Sequence, residues 1–142
     1  MRSAQRAGRR NGGLLAAAVL GLALSGLAAG CSSTPAYCTD ASQLKTSVQD
    51  LGNTDVAQNG LSSLQAALSK VQADAKTFAA DAKSAFPSQT TALNTALSGL
   101  QTAITSAKGQ PPVTAATAVA SSVAQVKNSA SNLQNAISNN CQ

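Results

Sequence analysis

LSSLQAALSKVQADAKTFAADAKSAFPSQTTALNTALSGLQTAITSAK, running from Leu61 to Lys108, is the stretch whose reading decides the fold. Before its proline, Leu61, Leu64, Leu68, Val71, Ala75, Phe78, Ala82 and Ala85 recur at alternating steps of three and four, the repeat of one helix face. After it, Leu93, Leu97, Leu100, Ile104 and Ala107 resume the same rhythm. Phe86-Pro87-Ser88 divides the two runs, because proline disfavours helix in the residue before it and suits the first turn of the helix after it. The spacing therefore predicts one helix from Thr54 or Asp55 to about Ala85, a sharp reversal, and a second helix from about Ser88 to Lys108. Asn59-Gly60 is a point of kinking in the first of these. Lys108-Gly109 closes the second with a cation in the last turn and a left-handed cap. Gly99, inside that helix, is expected to mark close approach of a neighbour.

Outward from this pair, the pattern continues on both sides. Leu44, Val48 and Leu51 predict a short helix from Asp40 to Leu51, capped by Thr39 or Asp40 and stopped at Gly52-Asn53. Beyond the turn Gln110-Pro111-Pro112, a last helix from about Val113 to Asn139 carries Ala116, Val119, Val123, Val126, Ala130, Leu133 and Ile137 on one stripe. No stretch alternates apolar and polar as a strand does. Short turns between successive helices favour antiparallel neighbours, so the expected fold is all-α: an up-and-down antiparallel four-helix bundle with a short first helix. Inward alanines at 75, 82, 107, 116 and 130 imply close helix approach and a narrow core with no roomy internal pocket.

The first thirty residues read differently. Arg2, Arg6, Arg9 and Arg10 precede an apolar run from Leu14 to Ala29, which small residues close. That order is the layout of an export signal. The run is shorter than the roughly 20 residues that a permanent transmembrane helix needs. Leu27-Ala28-Ala29-Gly30-Cys31 resembles the bacterial lipobox, although Leu27 stands one place further from the cysteine than in the commonest form. The resemblance implies that residues 1–30 are removed as a lipoprotein signal peptide. It also implies that Cys31 receives a diacylglyceryl group on sulfur and becomes the new amino terminus. An ordinary secretory signal cut near Ala29 is the alternative, and Arg9-Arg10 leaves Sec and twin-arginine export both open. Residues 31–37, beginning Cys31-Ser32-Ser33-Thr34-Pro35, form a short polar tether, and residues 38–142 the bundle domain.

With Cys31 lipidated, one pair of cysteines remains, Cys38 and Cys141, and an exported protein meets an oxidising environment in which they are expected to bond. Cys38 before the first helix and Cys141 after the last bring the two ends to one pole, as an even number of helices requires. Three helices with the first segment capping one end is the rival packing. The layout of an early cysteine, an Ala, Ser and Thr rich helical body and a terminal cysteine looks like small secreted or lipid-anchored proteins of actinobacteria. It is also similar to the small helical murein lipoproteins, but the chain lacks their terminal lysine, so wall attachment through that residue is not implied.

Removing the signal changes the charge. All four arginines leave with it, and six lysines against five aspartates remain. Isolated lysines and only Tyr37, Phe78 and Phe86 as aromatics provide neither a phosphate footprint nor a stacking platform, so nucleic acid is excluded as a partner. The chain has no histidine and no glutamate, which removes the usual base of a nucleophilic triad and most metal ligands. Asp74 and Asp81, seven apart on one face, are read as a solvated helix surface, and Lys70 with Asp74 as a weak pair at helical spacing. Tyr37 is read as packing beside the disulfide. No catalytic, cofactor or metal site is expected. Two function classes follow: a non-catalytic structural or interaction lipoprotein of the cell envelope, held to its membrane by lipid on Cys31 beside an envelope partner, or a bundle that carries a lipid or lies on the membrane surface.

Overall fold

The computed structural model describes residues 34–142, so the signal, Cys31 and the start of the tether lie outside the described residues. Four helices fill the described chain: α1 (Ala36–Gly52), α2 (Val56–Ala82), α3 (Pro87–Ala107) and α4 (Pro112–Ser138). They form an antiparallel up-and-down bundle in which α1 packs on α2 and α4, and α3 packs on the same two. The 27-residue helices α2 and α4 also meet across the diagonal, whereas α1 and α3 do not. At 17 residues α1 is the shortest member, as the stripe length implied.

Boundaries follow the punctuation in the sequence, with informative shifts. α1 begins four residues before Asp40, because Pro35 adopts φ −54° and ψ 142° and its carbonyl accepts from Cys38 N–H at 2.9 Å. Cys38 thus lies inside the first turn instead of preceding the helix, and Ala36 and Tyr37 belong to α1 and not to the tether. At the start of α2, Asp55 accepts from Gln58 N–H at 3.0 Å, a side-chain N-cap. One turn later Gly60 takes φ 75° and ψ 174°, kinking α2 where Asn59-Gly60 foretold it. α2 stops at Ala82, short of the expected Ala85. Pro87 holds Phe86 out of helical geometry, at φ −133° and ψ 55°, and the Phe86 ring turns inward, leaving Ala85 exposed. Lys108 is extended, and the left-handed residue is Gly109 at φ 83°.

One continuous core runs through the bundle. Leu64, Leu68, Val71, Phe78, Leu100, Ile104 and Val126 are fully shielded from solvent. The inward alanines expected at 75, 82, 107 and 130 are buried, but on α4 Ala115 takes the core position and Ala116 sits half-buried at its flank. Counting back from Val119, a step of four reaches Ala115 and a step of three reaches Ala116; only packing chooses between them. The threonines of α3 stay helical by donating their hydroxyls one turn back, as Thr91 does to the Pro87 carbonyl at 2.8 Å and Thr95 to that of Thr91 at 3.0 Å.

Candidate functional site

Three chain segments converge at one end of the bundle: the start of α1, the α2–α3 turn and the tail after α4. Cys38 and Cys141, 103 residues apart, are disulfide-bonded with Cα atoms 5.7 Å apart. Beside them the Tyr37 ring stands edge-on to Phe86, centroids 5.5 Å apart at 78°. The sole tyrosine is half-buried in this packing, as the sequence implied. Pro35, through which the chain enters from Cys31, opens the same pole.

The α1–α2 seam running from this pole carries most of the acidic charge. Asp40 on α1 lies within hydrogen-bonding reach of Asp81 on α2, with Asp74 further along. Burial, then the neighbouring Asp81, then Asp74 push the Asp40 carboxyl above its ordinary value of 3.8. Oδ2 of Asp40 is shielded from solvent and accepts no hydrogen bond. Two turns up the seam, Ser47, only 1% exposed, donates its hydroxyl to Asp74 Oδ2. Further up, Lys70 Nζ pairs with Asp50 Oδ2 at 3.3 Å across the same two helices. That pair replaces the expected Lys70–Asp74 partnership, and with both side chains more than half exposed it adds at most about 1 kcal/mol.

Asp81 is exposed, as expected of a solvated helix surface, whereas Asp74 is half-buried and accepts from Ser47. Asp40 was read only as a helix cap, whereas it lies inside α1, and Ser47 was not singled out, yet a signal existed: Asp40 and Ser47 stand seven apart on α1, as Asp74 and Asp81 do on α2. Two antiparallel helices with matched two-turn spacings can pair both positions at once, in the order Asp40 with Asp81 and Ser47 with Asp74.

Other surface features are shallow. A groove of about 340 Å³ lies between α1 and α4 over the disulfide, lined by Cys38, Ala41, Lys45, Ile137 and Cys141 among others. Another, about 540 Å³ between α2 and α3, is lined by Lys83, Pro87, Thr91 and Asn94, together with Thr90, whose buried hydroxyl has no partner. Gly99 faces open space, with nothing within 4 Å of where a Cβ would stand, so the expected close approach is absent there. It occurs instead at Gly52, where a Cβ would come within 3.0 Å of the Lys127 side chain. Among the described residues no cluster of His, Cys, Asp or Glu is suited to hold a metal ion, and no helix is long and apolar enough to cross a membrane.

Comparison with protein-family models, with curated proteins and with solved structures returns no match.

Proposed function

We propose that this chain is a lipid-anchored protein of the bacterial cell envelope whose bundle has a structural or interaction role and carries out no catalysis. The observation that carries the reading is the stretch Leu14 to Cys31, an apolar export signal ending in a lipobox-like cysteine. Two features of the described domain support it. The disulfide suits an oxidising compartment. The helical domain begins at Ala36, only five steps from Cys31, which limits the leash to roughly 17 Å at about 3.3 Å per residue. Lipid on Cys31 would hold the Cys38–Cys141 pole of the bundle against its own membrane.

The non-catalytic reading rests on residue types. A chain without histidine or glutamate has few general bases, and its one cluster of carboxylates is arranged against itself across a helix seam. The interior is filled by Leu, Val, Phe and Ala side chains, and the grooves are open at the surface, which favours an interaction module over a carrier with an internal ligand chamber.

Replacing Cys31→Ser and following acyl-chain labelling and membrane fractionation tests the reading. Loss of label and release of the protein from membranes is the expected outcome. Unchanged membrane retention would remove the anchor from the account. Specific turnover of a substrate by the purified protein would remove the non-catalytic role.

A further inference from the structure

The kink in α2 brings together two residues whose chemistry the bundle does not use. Gly60, at φ 75° and ψ 174°, divides α2 into a single turn, residues 56–59, and a long remainder, residues 61–82. Those angles belong to a region that glycine alone occupies readily. Asn59, immediately before it, is exposed. Nothing stands within 4 Å of where a Gly60 Cβ would lie, so no neighbouring group crowds that side of the Asn59–Gly60 link. Among the described residues Asn59 is the one asparagine followed by glycine. Asn94 precedes Thr95, Asn128 precedes Ser129 and Asn135 precedes Ala136, each inside α3 or α4, where no kink interrupts the helix.

The reacting atom is the backbone nitrogen of Gly60. Once hydroxide has drawn off its proton, that nitrogen attacks Cγ of Asn59 as a nucleophile already held in the same chain. A nitrogen–Cγ bond forms, the bond from Cγ to Nδ2 breaks, and ammonia leaves with a proton taken from water. The product is a five-membered cyclic imide. Water then opens the ring at one of its two carbonyls. Opening at the side-chain carbonyl leaves an aspartate at position 59; opening at the backbone carbonyl leaves an isoaspartate, with the chain running through Cβ.

Two barriers protect an asparagine in a regular helix: its ψ must rotate away from the helical value before the nitrogen can reach Cγ, and a side chain on the next residue obstructs the approach. Glycine removes the second. The kink lowers the first, because freeing Asn59 unwinds one turn and leaves the rest of α2 in place. That turn is held by the Asn59 N–H donating to the Asp55 carbonyl at 2.8 Å, by the Gln58 N–H donating to the Asp55 side chain at 3.0 Å, and by Val56 buried beneath it. Beyond the kink, Ser63 donates its hydroxyl to the Gly60 carbonyl at 2.8 Å, so the longer part of α2 has a start of its own.

We propose that Asn59 is a site of non-enzymatic modification: in the folded protein it loses its side-chain amide through attack by the Gly60 nitrogen, and a carboxylate, in part as isoaspartate, takes its place. An isoaspartate lengthens the backbone by a methylene, which the existing break in α2 accommodates and an unbroken helix would not. The new charge appears at the start of α2, at the opposite end of the bundle from the Cys38–Cys141 bond. Residues 31–142 carry six lysines and five aspartates, so one conversion brings the two signs level. The proposal is independent of lipid on Cys31, since every group in it belongs to the bundle.

The test incubates the full chain in nonionic detergent, in mildly acidic and in mildly alkaline buffer, beside the same chain unfolded in guanidinium. Peptide mapping by mass spectrometry, with fragmentation that separates aspartate from isoaspartate, reads the conversion at each asparagine. In the folded chain Asn59 should convert faster in alkali than in acid, and within about tenfold of its unfolded rate, as the opening of a single frayed turn allows. Asn94 and Asn128 should convert measurably only in guanidinium. Asp55→Ala removes the cap of the turn and should speed the folded conversion of Asn59 about fivefold while leaving the guanidinium rate as it was. An Asn59 that keeps its amide in the folded chain while the unfolded chain converts overturns the proposal. So does conversion of folded Asn94 or Asn128 at the rate of Asn59, or an unchanged folded rate in Asp55→Ala.

Discussion

Replacing both bridging cysteines, Cys38→Ala with Cys141→Ala, should remove about as much stability as the most costly single core substitution. The bridge closes a loop of 103 residues, nearly the whole described domain, so cutting it frees the entire unfolded chain. On the chain-entropy treatment a loop of that length costs the unfolded state about 16 cal/mol/K, or about 4.7 kcal/mol near 25 °C. Domains of this size are stable by only about 5–15 kcal/mol in total, so the loss is a large fraction of the whole. The native side contributes little to the figure. Cys38 is buried and would leave a small void, while Cys141 is half-buried on a tail beyond the end of α4. Urea unfolding followed by far-ultraviolet circular dichroism, with and without a reductant, measures the difference directly. The midpoint should fall sharply in the variant and in the reduced wild type alike, and the melting temperature by about 20 °C or more. A loss under about 1 kcal/mol would refute the reasoning, since it would mean that the two ends of the chain are already held together when the rest is unfolded.

Two further outcomes follow from the packing. Phe78→Ala, at the most shielded aromatic of the core, should cost about 3–5 kcal/mol in urea unfolding, and a cost under about 1 kcal/mol would show that the ring is not packed as described. Two of the helix glycines, Gly60 and Gly99, should answer alanine with opposite signs. Gly99→Ala fills open space in a regular helix and should raise stability by about 0.5–1 kcal/mol, whereas Gly60→Ala forces φ 75° on a residue with a Cβ and should lower it by about 1 kcal/mol or more. Thermal melts of the two variants beside the wild type decide the matter, and a shared sign would count against the kink at Gly60.

Much of the fold was legible because its signals are local. Helix period, proline before a turn and glycine after one act within a few residues of where they stand, so the four stripes and three reversals could be read from the chain directly. Cys38 near the start of the chain's first stripe and Cys141 after its last then carried the parity of the bundle, since an even number of antiparallel helices returns both ends to one pole. The errors at helix ends have the same origin. Pro35 starts α1 earlier and Phe86 leaves α2 sooner than the apolar rhythm implied, because terminal residues answer to capping geometry and to proline more than to the stripe.

Of the Cys38–Cys141 pole and what precedes it, the sequence by itself determined the residue types, the two cysteines and the export-like stretch ending at Cys31. Tertiary structure alone decided which side chains meet. Asp40 and Asp81 lie forty-one positions apart, Ser47 finds Asp74, and Lys70 turns from Asp74 on its own helix to Asp50 on another. Each meeting depends on the register and rotation of α1 against α2, which the core sets by burying Leu44, Val48 and Leu51 beside Leu64, Leu68 and Val71. A helical stripe determines which face turns inward; how far one helix slides along another is a property of the packed pair, and with it the company each charge keeps.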